Sequence, residues 1–139
     1  MNMNAFLKGK AKALPEVEAV ITERYVDEKG KFIPFKFKAI DSKKIDDIKK
    51  ECTKVIYHKN QKIEKFDNER FVAKVAIETT IFPNFKDDEL LKSYECVDPV
   101  DVAHEVLSLP GEYTDWVEQA FKVNGFNDKF EDLVNEAKN

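Results

Sequence analysis

Hydrophobic and polar positions alternate most cleanly at Ile33, Phe35, Phe37 and Ala39, with Pro34, Lys36 and Lys38 between them. A period of two over this length predicts a strand with one buried face and one wet face. Pro34 has no N–H to give a ladder, which predicts an edge position or a pairing gap there. Upstream, residues 17–25 are rich in β-branched and aromatic side chains, and Asp27-Glu28-Lys29-Gly30-Lys31 supplies turn chemistry between the two runs. Together they predict an antiparallel β-hairpin. Residues 1–14, closed by Pro15, have only a weak pattern and read as an arm.

From Asp41 the period lengthens. Asp41-Ser42 offers a helix cap, and Ile45, Ile48 and Cys52 recur at helical spacing beneath a lysine-rich face. Residues 53–66 hold Val55-Ile56-Tyr57 and then a polar run, a pattern that fits a small hairpin or a loop. Asp67 opens a helix reaching about Thr80. Its polar stripe (Arg70, Lys74, Glu78) is narrow against Phe71, Val72, Val75, Ala76 and Ile77, so it should be central and buried on nearly all sides. Asp87-Asp88-Glu89 starts a short helix ending near Tyr94, and Asp98-Pro99-Val100-Asp101 starts another.

Leu109-Pro110-Gly111 then breaks the chain before the clearest amphipathic helix, with Tyr113, Trp116, Val117, Ala120, Phe121 and Val123 on one side. Asn124-Gly125-Phe126 predicts its stop, with Gly125 in the left-handed region and Phe126 folded back onto Phe121. Asp128 and Glu131 have capping-box spacing for a last helix carrying Phe130, Leu133, Val134 and Ala137. Strands come first and helices after. The expected fold is α+β: N-terminal antiparallel hairpins, then a C-terminal bundle of about five helices, in a single domain over residues 1–139 with one core.

Composition narrows the function classes. With 139 residues, 42% of them apolar, and eleven phenylalanines, the chain can build a core without metal or disulfide staples. The net charge of −4 hides a split: residues 1–65 carry 16 Lys/Arg against 10 Asp/Glu, residues 66–139 carry 7 against 17. A basic half invites a nucleic-acid reading, but Arg24 and Arg70 are the two arginines, and base readers favour the arginine fork. The acidic half would also repel a phosphate backbone. No apolar run approaches the ~20 residues of a membrane span. The start lacks the basic-then-apolar order of a secretion signal, and Cys52 and Cys96 form no CxxC. A soluble intracellular protein with reduced thiols and no membrane or nucleic-acid partner is expected.

Candidate chemistry is sparse. A nucleophile needs an activating base, and Cys96 with His104 is the one tempting pair, without an orienting third group or a glycine-rich oxyanion loop. His104-Glu105 lacks the second histidine of a zinc helix, since position 108 is Ser108. Asp87-Asp88-Glu89 fits no calcium loop and suits a helix start. No catalytic residue, metal or cofactor is expected. What remains is aromatic: Phe82 and Phe85 around Pro83, and Tyr113 with Trp116. Exposed together, these four would form a partner-binding patch; packed inward, they would plug the corners of a small core.

The same stretches carry a resemblance. Glu51-Cys52-Thr53-Lys54, the run from Thr79-Thr80-Ile81-Phe82-Pro83-Asn84-Phe85 to Leu90, Ser93-Tyr94, Leu109-Pro110-Gly111-Glu112-Tyr113, Asn124-Gly125-Phe126 and the ending Leu133-Val134-Asn135-Glu136-Ala137-Lys138-Asn139 form an ordered set. From about Val20 onward the chain resembles the XkdN-like tail assembly chaperones of contractile-tailed phages and PBSX-type prophages. The resemblance implies a non-enzymatic role: binding the long helical tape measure protein in the host bacterial cytoplasm, in several self-associating copies, and holding it soluble until tube subunits polymerise. It also implies contact with the tail tube protein and absence from the mature virion. The alternative is a structural tail or baseplate component.

Overall fold

The computed structural model describes residues 2–126. The chain opens with one 3₁₀ turn, Met3–Phe6, and residues 2–14 are exposed throughout. Strand β1 (Glu16–Ala19) pairs antiparallel with β2 (Phe35–Lys38) in the register Glu16↔Lys38 to Ala19↔Phe35. The predicted hairpin is therefore present, but its first strand is shorter than the β-branched run. Residues beyond Ala19 leave the sheet because Arg24 and Tyr25 are captured elsewhere: both donate to the carbonyl of Val106, at 3.1 and 2.7 Å.

Phe35 and Phe37 point inward while Lys36 and Lys38 face water, as the alternation predicts. β2 is not an edge strand, and of the two alternatives at Pro34 the pairing gap is the one found, between the Val26↔Phe32 bridge and the Ala19↔Phe35 pair. β2 is the middle strand, flanked by β1 and by β5 (Thr80–Phe82), which arrives after two intervening helices and another hairpin. Pro34 is compatible with this because it lies one residue outside the strand, where no ladder donor is needed.

Helix α1 (Ser42–Glu51) is capped by Asp41, whose carboxylate accepts from the Lys44 N–H at 2.8 Å. The ambiguous segment after it is a hairpin, β3 (Thr53–His58) with β4 (Gln61–Phe66). Its two-residue loop, Lys59-Asn60, has φ of 50° and 64°, the left-handed pair of a type I′ turn that matches strand twist. The two hairpins lie in the N-terminal half as expected, with α1 between them, and of the later elements among the described residues only β5 is a strand.

Helix α2 (Asn68–Thr79), capped by Asp67, buries Phe71, Ala73, Val75, Ala76, Ile77 and Thr79, and packs on α1, on β5 and on the two helices α4 (Pro99–Val106) and α5 (Pro110–Val123). It is the central helix its narrow polar stripe predicts. Helix α3 (Asp88–Ser93) is capped by Asp87, and α4 by Asp98 with Pro99 in the first turn. Each such cap is worth about 0.5–2 kcal/mol. α5 ends as a Schellman motif: Phe126 N–H bonds to Phe121 O, Gly125 N–H to Lys122 O, Gly125 has φ +86°, and the Phe121 and Phe126 rings sit 5.6 Å apart. The last helix expected from Asp128 onward lies outside the described residues.

One core unites these elements. Phe35 and Phe37 from the sheet meet Phe71, Val75, Phe85, Val102, Leu107, Trp116 and Phe121. Buried polar atoms inside it are paired into two knots. Trp116 Nε1–H donates to Thr80 Oγ1 (2.8 Å), whose own hydroxyl donates to Ala76 O (2.6 Å). Asn124 accepts from Ile40 N–H (2.8 Å) and donates to Thr79 Oγ1 and Ala120 O (both 2.9 Å), which ties the ends of α2, α5 and the sheet together.

Candidate partner-binding surfaces

The four aromatics singled out from the sequence do not form one patch. Trp116 and Phe85 are fully buried, with rings 5.3 Å apart and edge-on. No docked partner reaches either of them in the folded chain, which corrects their assignment to an exposed surface. The reason is the phase of α5: Trp116, Val117, Ala120 and Phe121 share its inward side, and Phe85 closes the corner above them. Tyr113 is half-buried, 5.4 Å from Trp116, and stacks flat on the exposed His104 ring at 4.3 Å. Burial pushes its hydroxyl up to about 12, so it stays protonated. Phe82 stands on the surface, 42% exposed at the end of β5, paired with Lys36 and followed by a cis peptide to Pro83.

Two open clefts flank this arrangement. One, of about 390 Å³, lies along the sheet between Glu16, Val17, Glu18, Lys36, Phe37 and Ile81. Val17 and the 48% exposed Ile81 are its exposed apolar lining among three charged side chains, and Phe82 follows Ile81 at the end of β5. The other, of about 460 Å³, runs from α1 across α2 to the start of α4. Its walls are ion pairs: Arg70 with Asp98 at 2.9 Å, Lys74 with Glu51 at 2.6 Å, and Lys86 with Glu78. The Lys74 ammonium holds the Glu51 carboxyl below its ordinary range. At Asp98 burial opposes ionisation, but the Val100 N–H and the Arg70 guanidinium outweigh it and lower its pKa. Val97, 93% exposed, sits on the rim.

A third charge cluster is structural. The Arg24 guanidinium reaches both oxygens of the buried Glu112 carboxylate (Nε at 3.1 and 3.2 Å, Nη2 at 2.5 Å) and depresses its pKa. Arg24 Nη2 also satisfies the Val106 carbonyl at the C-terminal end of α4, where helix carbonyls lack partners and cations are favoured. Nothing in the local pattern pairs residue 24 with residue 112; a lone arginine in a lysine-rich half was the available signal.

The candidate catalytic pair is not assembled as one. His104 stacks on Tyr113, while the Cys96 thiol donates to the Tyr94 carbonyl at 3.4 Å. Burial raises the pKa of both thiols, disfavouring the nucleophilic thiolate. Cys52 is a core residue. Among the described residues no cluster of three or more His, Cys, Asp or Glu is arranged to hold a metal, and no helix is long and apolar enough to cross a membrane.

The protein is an α+β domain with two open clefts outside one aromatic core. Comparison with known proteins gives its family. Residues 3–138 match the family model described as phage XkdN-like tail assembly chaperone protein. The chain is 44% identical to the uncharacterised YqbN protein of Bacillus subtilis strain 168, covering 99% of this chain and 93% of that protein. It is 42% identical to the phage-like element PBSX protein XkdN of the same strain, covering 99% and 94%. A solved crystal structure of YqbN superposes with a TM-score of 0.81 at 40% identity, covering 91% of this chain and 98% of that one. The chain belongs to the XkdN-like family of phage tail assembly chaperones.

Proposed function

We propose that this protein binds the tape measure protein of its phage-like element in the host cytoplasm and keeps it soluble until the tail tube polymerises. On this reading it touches the tube protein only at hand-over, is absent from the finished particle, and works without catalysis or a cofactor. The observation that carries the proposal is the family match over residues 3–138. The physical need is specific. A long amphipathic helix exposes an apolar stripe that must be covered reversibly.

The cleft along the sheet, with Val17 and Ile81 in its lining, Glu16, Glu18 and Lys36 at its edge and Phe82 beyond it as the partner of Lys36, is the surface we assign to that stripe. It has reachable hydrophobes at its centre and both signs of charge at its rim, the arrangement of a reversible interface. Co-expression with the neighbouring tape measure gene is the test. The expected outcome is a co-purifying complex, a larger soluble fraction of the partner, and no chaperone in purified tails. Stoichiometric recovery in tails without co-purification would instead make the chain a structural tail or baseplate component.

A further inference from the structure

We propose that the β3–β4 hairpin of one copy docks on the outer face of α4 of a second copy, so that this chain associates head to tail. The hairpin meets α1 at its base, and every residue from 54 to 65 is exposed. Six-residue strands extend about 20 Å, and a two-stranded ribbon with both faces in water is marginally stable on its own. Apolar side chains are nevertheless spent on it: Ile56 and Ile63 face each other across the strands, each 40% exposed.

The register defines the docking face. Cross-strand partners share a face, so the Ile56/Ile63 rung lies between the Lys54/Lys65 and His58/Gln61 rungs. Lys62 and Glu64, 3.6 Å apart, belong to the opposite face and neutralise each other. The isoleucine face is therefore an apolar pair beside two lysines, neither with an acidic partner among the described residues.

The same chain carries the complement. Residues 87–118 contain ten Asp/Glu and one lysine, Lys92. On α4, Asp101 and Glu105 are exposed one turn apart, without a cation among the described residues, and Val97 stands 93% exposed just before the helix. Val97 and the carboxylates of Asp101 and Glu105, all exposed on one short stretch of chain, supply the apolar contact and the negative charge that an apolar pair beside two ammonium groups calls for. Charge also rejects the competing geometries. Two isoleucine faces placed together would bring together four lysines, Lys54 and Lys65 from each hairpin, and lysines along strand edges oppose strand addition. A heterologous contact repeats from copy to copy as a ring or an open array, the geometry a coat on a long partner requires.

Sedimentation velocity of the purified full chain tests this without any other protein, so its failure and failure of tape measure binding are read in separate experiments. Species larger than the monomer are expected at 0.1 M salt and at least tenfold weaker association at 1 M, as screening shortens from about 10 Å to about 3 Å. Lys54→Glu with Lys65→Glu, and separately Asp101→Lys with Glu105→Lys, should each weaken association at least tenfold. All four positions are exposed, so circular dichroism should show the fold retained, with the melt of the Asp101→Lys, Glu105→Lys variant lowered only by the cation placed in the first turn of α4. An equimolar mixture of the two double variants should associate again, since each then offers the other a complementary face. A monomeric wild-type chain at all concentrations, undiminished association in either double variant, or a mixture no better than its components overturns the inference.

Discussion

Trp116 is held from three sides: Thr80 accepts its indole N–H, Phe85 meets it edge-on, and Tyr113 closes the third. Trp116→Ala should cost about 3–5 kcal/mol through the cavity it leaves and deprive the Thr80 hydroxyl oxygen of its indole donor, visible as a lowered thermal midpoint. Phe82→Ala, at the surface, should change stability by less than about 0.5 kcal/mol and yet reduce capture of the tape measure protein in a pull-down. Equal stability losses would make Phe82 a core residue; equal capture would remove it from the interface. Asn124→Ala deletes one acceptor and two donors at the junction of α2, α5 and the sheet, and about 1–3 kcal/mol should be lost for the groups left buried and unpaired.

At the scale of elements, local chemistry sets the ends and tertiary packing sets the positions. Asp41, Asp67, Asp87 and Asp98 each cap the helix that the sequence places after them, because capping joins residues two or three apart. The α5 stop was legible for the same reason. Gly125→Ala should cost about 1–2 kcal/mol, since a side chain there is forced into the left-handed region. Gly111→Ala is its control: Gly111 lies in the first turn of α5 with open space around its Cβ position, and loss of unfolded-state freedom should stabilise by about 0.4–1 kcal/mol. Chemical denaturation of the two variants reads both signs. The β3–β4 segment stayed ambiguous in sequence because both its faces are wet, so no alternation marks it. Only the Lys59-Asn60 backbone reveals the turn.

At the scale of the whole molecule, the ion pairs Arg24–Glu112, Arg70–Asp98 and Lys74–Glu51 are among those that fasten elements distant in sequence. In each the carboxyl has a pKa lowered on folding. The sign follows from linkage: a depressed folded pKa contributes stability that is complete above the unfolded carboxylate range near pH 4 and is lost as pH falls through the native values. Thermal melts should therefore be flat from about pH 7 to 5 and fall below about pH 4, and Glu112→Gln should lower the plateau while flattening the acid slope. An unchanged slope would show that the Arg24–Glu112 pair contributes nothing.

The α+β class, the helix caps, the alternating face of β2, the central place of α2 and the stop of α5 were all legible in the order of residues alone. Each rests on contacts within a turn or two of the chain, or on a period the backbone imposes. Tertiary structure alone decided that β5 completes the sheet beside β2, that Arg24 meets Glu112, and that Phe85 and Trp116 are core while Phe82 is surface. Those outcomes depend on which elements cover one another. An aromatic beside a turn has the same local pattern whether a neighbouring helix closes over it or leaves it in water.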